Sequence, residues 1–116
     1  STASSDGGVL PIIRYDIITA SAYNAKITTP ISFSSSPALG SETVTWAGST
    51  VANQMSDASM SAFNTDKVVY NNTSEFPLTV AGSVWFDVSS EATYGYNKAF
   101  PAGSYSAVVT AECIAQ

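Results

Sequence analysis

Residues 78–88 read Leu-Thr-Val-Ala-Gly-Ser-Val-Trp-Phe-Asp-Val. Leu78, Val80, Gly82, Val84, Phe86 and Val88 fall on one side of an extended chain, and Thr79, Ala81, Ser83, Trp85 and Asp87 on the other. Strand side chains alternate between faces with a period of two, so this pattern predicts one long strand with a single buried face. The same alternation recurs along the chain. Val9, Ile13, Tyr15 and Ile17 share a face over residues 9–19, opposite Leu10, Ile12, Arg14, Asp16 and Ile18. Pro11 lacks an N–H and places this segment at a sheet edge or away from a sheet centre. Ile27, Thr29, Ile31 and Phe33 form another inward set, with Pro30 marking an edge or a bulge. Val44 and Trp46 share a face in a short strand over 43–47.

Between these segments the signals change. Ser1 to Gly8 is small and polar and ends in Gly-Gly, which reads as a mobile arm. Residues 34–41 contain Pro37 and Gly40 and read as a loop. Val51, Met55, Ala58 and Ala62 have helix-like spacing, so 51–62 is expected to be a short helix or a crossover. Residues 67–70 read as a strand, 71–77 as a turn-rich link and 91–103 as a loop. The last strand spans 105–114, with Tyr105, Ala107, Val109, Ala111 and Cys113 inward. Apolar residues on both of its faces suit a central or covered strand. Several short strands with regular turn signals and no long helix describe an all-β, immunoglobulin-like antiparallel β-sandwich with an extended N-terminal segment. The expected division is a 1–19 arm and possible donor strand, followed by a 20–116 sandwich domain.

At 116 residues the chain has the size of one domain. Only 11% of its residues are charged, against about a quarter in ordinary domains, so the surface is polar but weakly charged. The net charge is −5, and the basic residues Arg14, Lys26, Lys67 and Lys98 are scattered. Nucleic acid and anionic membrane surfaces require clustered positive charge and are disfavoured as partners. No apolar run approaches the roughly 20 residues of a membrane-spanning helix. The start at Ser1 is compatible with removal of a leader or of an initiator methionine. Cys113 is the lone cysteine, so no intrachain disulfide forms. It is expected to be a small buried apolar residue, or else a reactive thiol or the partner in an intermolecular disulfide.

Candidate chemistry is sparse. The chain has no histidine, which excludes Ser-His-Asp and Cys-His catalysis. Asp16, Glu42, Asp57, Asp66, Glu75, Asp87, Glu91 and Glu112 read as solvated surface carboxylates rather than a glycosidase pair. Neither zinc nor EF-hand spacing is present, and no phosphate-cradling glycine loop precedes a helix. No cofactor, metal or catalytic residue is assigned, and the chain is expected not to be an enzyme. Tyr94, Tyr96 and Phe100 crowd one loop while Trp85 lies on the polar side of its strand. These four are candidate surface residues for a glycan or a protein receptor, or else fold over the end of the sandwich. Asn71 and Asn72 each begin a glycosylation acceptor tripeptide.

The stretch Phe100-Pro101-Ala102-Gly103-Ser104-Tyr105-Ser106-Ala107-Val108-Val109-Thr110 resembles the closing strand of immunoglobulin-like pilus subunits of the chaperone–usher and spore-coat type. That resemblance implies a subunit whose sandwich lacks one strand and receives it from a neighbour by β-strand addition. Val9, Ile13, Tyr15 and Ile17 would then be the donor side chains, each contributing about 1.5–3 kcal/mol by burial. Residues 9–19 read equally well as the first strand of their own domain. The expected function is a structural subunit that polymerises with identical copies into an extracellular or cell-surface filament or pilus. A virion-decorating or tail-associated protein and a carbohydrate-binding adhesin module are the alternatives.

Overall fold

A computed structural model describes residues 11–40, 42–95 and 100–116. Among the described residues, seven strands form two antiparallel sheets: β1 (Ile12–Ile17), β2 (Tyr23–Thr28), β3 (Val44–Met55), β4 (Val68–Tyr70), β5 (Thr73–Pro77), β6 (Gly82–Tyr94) and β7 (Thr110–Ala115). Sheet A has the order β1-β6-β3 and sheet B the order β4-β5-β2-β7. The chain is an antiparallel β-sandwich. A constant-type immunoglobulin domain also divides seven strands three and four, with its first strand beside the second and its seventh beside the sixth. Here those two have traded sheets: β1 pairs with β6, and β7 pairs with β2.

The alternation of apolar residues builds the core between the sheets. Val84, Phe86 and Val88 of β6 face Ala25 and Ile27 of β2 and Phe76 of β5, all fully buried. The Phe76 and Phe86 rings sit 4.5 Å apart across the layers. The expected single strand over 78–88 is broken. Leu78 is buried, but residues 78–81 carry the chain from sheet B to sheet A, and β6 begins at Gly82. Gly82 has φ +136, and a Cβ there would lie 2.5 Å from Ser56 Oγ, so the crossing needs a glycine. Other expected boundaries shift as well. Strand β2 ends before Pro30, and β3 runs far past Ala47. The 71–77 link contains β5, and β6 extends through Tyr94.

The helical expectation for 51–62 holds only for its second part. Strand β3 continues to Met55, with a register shift between Ala52 and Gln54. A 3-10 turn (Ala58–Ser61) and helix α1 (Ala62–Asp66) follow. Asp57 caps the turn by accepting from Ser59 N–H and from its hydroxyl, and these bonds hold its carboxyl below the usual range. Met60 and Phe63, three apart on the inner side, are both fully buried.

Candidate assembly surface

Strand β1 lies at the edge of sheet A and pairs along its whole length with β6, from Ile12 opposite Asp87 to Ile17 opposite Gly82. Ile13 and Tyr15 are half-buried and Ile17 is buried, so their inward alternation is as expected. Val9 lies outside the described residues. Over residues 12–17 the segment is therefore not an arm detached from the domain. It is the edge strand of its own sandwich, and a domain boundary after Thr19 cuts through sheet A.

The Pro11 carbonyl accepts from Val88 N–H at 3.0 Å, which fixes the phase of the ladder. Ile13, Tyr15 and Ile17 turn their backbone polar groups toward β6, whereas Ile12, Arg14 and Asp16 turn theirs to the outer edge. On the outer face Arg14 pairs with Asp16 at 2.9 Å and lies 5.2 Å from the Trp85 ring centroid. Ser83 donates to Asp16 at 2.6 Å. The Ser83 hydroxyl and then Arg14 hold the Asp16 carboxyl below its ordinary range.

Tyr15 is the strut between the two sheets on this side. Its ring meets Phe86 edge-on at 5.5 Å, and its hydroxyl donates to the Glu112 carbonyl of β7 at 2.7 Å. Burial, then the electrostatic influence of Cys113 and Glu112, pushes the phenol up to about 12. Below it a groove of about 340 Å³ opens between Ile17, Ile18, Tyr23, Leu78 and Cys113.

Strand β7 differs from expectation. Ala111 and Cys113 lie opposite Ile27 and Ala25, which are fully buried, yet both are exposed. The reason is position. Strand β7 is the edge of sheet B and is not covered by sheet A, so residues that face inward still meet solvent. Cys113 is accordingly an exposed free thiol rather than a buried apolar residue.

Of the aromatic candidates, Tyr94 and Phe100 come together and Trp85 stands apart from them. Tyr94 and Phe100 join Phe33, Trp46 and Tyr105 at one end of the sandwich, with centroid separations of 4.7–5.7 Å. The Tyr94 hydroxyl donates to the Leu39 carbonyl at 2.7 Å. Trp85 sits on the outer face of sheet A under Arg14, and Tyr96 lies outside the described residues. A wider depression of about 570 Å³ beside Trp46, Ile31 and Asn71 involves neither Trp85 nor Tyr94 nor Phe100. Of the two acceptor asparagines Asn71 is exposed, whereas the Asn72 amide donates to the Thr29 carbonyl.

Sequence reasoning missed a second apolar edge. All three residues of β4 are exposed, Val68 by 59%, Val69 by 60% and Tyr70 by 40%. The run Val-Val-Tyr signalled a strand, but nothing in it signals an uncovered one.

No protein-family model matches this chain, no curated protein matches it, and no solved structure matches it.

Proposed function

We propose that this chain is a structural subunit that joins copies of itself into an extracellular filament or pilus by exchanging strand β1. One observation carries the reading. Strand β1 is an edge strand whose only ladder among the described residues is with β6, and it fills the place that the seventh strand holds in a constant-type sandwich. The slot beside β6 is thus closed by the first strand, which a short connection over residues 18–22 joins to β2.

A neighbour's β1 makes the same six pairs with β6 as the chain's own, so exchange forfeits no contact within the sandwich. The balance then rests on association entropy and on the connection. In that connection Ser21 adopts φ +62, a conformation costing on the order of 1–3 kcal/mol in a non-glycine residue that opening would release. If each copy passes β1 forward and receives one from behind, and the rotation between copies does not close a ring, the assembly grows as a fibre. Ile13, Tyr15 and Ile17 are the donor side chains in this scheme. The low surface charge supports close packing of copies, because few ions must be desolvated.

The test is mass against concentration by light scattering, with electron microscopy of the concentrated sample. Growth in mass and visible fibres are expected. Deleting Thr19 and Ala20 shortens the connection, prevents closure onto the same chain and should convert remaining monomer to polymer. A shortened chain that stays folded and monomeric at high concentration would falsify the exchange.

A further inference from the structure

We infer that sheet B is a second self-association element, in which β7 of one copy pairs with β4 of the next to form one continuous sheet. This contact is independent of β1 exchange, which involves sheet A.

The argument starts from strand count. Sheet B is antiparallel and has four strands, so its two edge strands, β4 and β7, run in opposite directions. A second copy placed beside the first in the same orientation therefore sets its β4 antiparallel to β7. An odd number of strands would have set them parallel. The two edges also carry the same defect. Val69 lies opposite Ser74, on the inner side of the sheet, and is exposed; Ala111 and Cys113 are on the inner side and are exposed. Both ends of sheet B thus present inward-facing side chains without cover. Strand β7 offers no proline, lysine or arginine at its edge, and neither does β4; the protection present is the shortness of β4, three residues, and the single charge of Glu112 on β7.

The backbone phase agrees. Gln116 N–H donates to the Ala22 carbonyl, so Ala111, Cys113 and Ala115 turn their polar groups outward from β7. Tyr70 and Thr73 close the two-residue Asn71-Asn72 turn, which leaves Val69 turned outward from β4. Setting Val69 opposite Cys113 joins residues that face the same side. It also brings Val68 beside Ile114 and Tyr70 beside Glu112 on the outer face. A shift by two residues toward Thr110 would set Val68 against Glu112 and lose the apolar pair. The spacing between copies is four strand separations, about 19 Å. Because successive copies keep the same orientation along the sheet, this head-to-tail contact propagates instead of closing into a ring. The partner is a second copy of this chain.

The test uses the intact chain carrying Val69→Cys, with the native Cys113 as its counterpart. Directly opposite residues of an antiparallel pair have Cα atoms about 5.5 Å apart, within disulfide range. Mild oxidation should give a ladder of dimers, trimers and longer species on a non-reducing gel, and adding Cys113→Ser should abolish it. Val69→Lys, at the same exposed position, tests the contact without a disulfide and should weaken association at least tenfold by light scattering. A V69C chain that cross-links no more than wild type overturns the pairing, as does V69K associating like wild type. Wild type that oxidises to dimers alone, through Cys113 of two copies, points to β7 meeting β7 and overturns it too. The connection deletion carried in a Val69→Lys chain reads β1 exchange alone, and the Val69→Cys cross-link reads the sheet B contact alone, so either contact can fail while the other stands.

Discussion

The two long sides of this sandwich are built differently. Where β3 and β4 lie, the chain itself closes the gap: the 3-10 turn and α1 insert Met60 and Phe63, and Asn64 engages the edge of β3. Its carbonyl accepts from Ala52 N–H at 2.7 Å and its amide donates to the Ala52 carbonyl at 2.8 Å. Lys67 adds a bond from Nζ to the Thr50 carbonyl at 2.9 Å. One side chain thus does for β3 what another strand would do. Between β1 and β7, by contrast, one hydrogen bond from Tyr15 spans the two edges, over a groove with an exposed thiol. Stability should therefore concentrate on the plugged side, and the capacity for exchange on the other.

Substitutions on the plugged side should cost most. Phe63→Ala empties a fully buried site and should lower unfolding free energy by about 3–5 kcal/mol in urea titrations. A loss below about 1 kcal/mol would show that the plug contributes little and that the contrast between the sides is false. Asn64→Ala comes next. It strands both the N–H and the carbonyl of Ala52, and a cost of about 2–3 kcal/mol is expected. Hydrogen exchange at Ala52 N–H should accelerate in that variant far more than exchange at Phe86, in the middle of the sheet.

On the open side the effects shrink. Tyr15→Phe removes the strut to Glu112 and should cost about 1 kcal/mol. Its pH signature is sharper than its size. The phenol titrates near 12 in the folded chain against an ordinary value of 10.0, so the native state keeps its proton after the unfolded state has begun to lose it. That contribution is present in full below pH 10 and is lost as pH rises from 10 to 12. Tyr70 and Tyr105 are also raised, Tyr70 chiefly by its bond to Glu75 and Tyr105 by burial. The difference between wild type and Tyr15→Phe isolates Tyr15, and it should narrow steadily across that interval. A difference that stays constant with pH would remove Tyr15 as the strut.

Much of the layer structure was legible along the chain, and the reason is the period-two rule. Val84, Phe86 and Val88 point inward as their spacing requires, and so do Ile13, Tyr15 and Ile17. Alternation reports which face a residue takes but not which sheet its strand joins. The 78–88 run kept its pattern through Leu78 and Val80 while the chain crossed between layers at Gly82. Strand β5 escaped notice because Thr-Ser-Glu-Phe-Pro has the composition of a turn, although Ser74 and Phe76 are buried. The candidate assembly surface was half legible. Residues 9–19 drew attention as an extended apolar segment, but whether they pair at home or abroad is a property of the second strand of the ladder. Strand β7 misled for a related reason. Apolar residues on both faces suit a covered strand, and only the sheet order shows that its inward face lies beyond the last strand of sheet A.

The smallest effect on stability sharpens the contrast in a different way. Cys113 is exposed and makes no core contact that serine would lose, so Cys113→Ser should change unfolding free energy by no more than about 0.5 kcal/mol. Its value lies in the thiol as a reporter of the open side. In dilute solution a thiol-specific chromogenic disulfide should react with the folded chain about as fast as with the urea-unfolded one, because no opening step precedes attack. Raising the protein concentration should slow that reaction if a neighbour's β4 covers the inner face of β7, and Val69→Lys should restore the dilute rate. Exchange of β1 alone would leave the rate unchanged, since the slot beside β6 is filled in either form. A thiol that is slow even in dilute folded protein would mean that the side between β1 and β7 is already covered, and the asymmetry between the two sides would disappear with it.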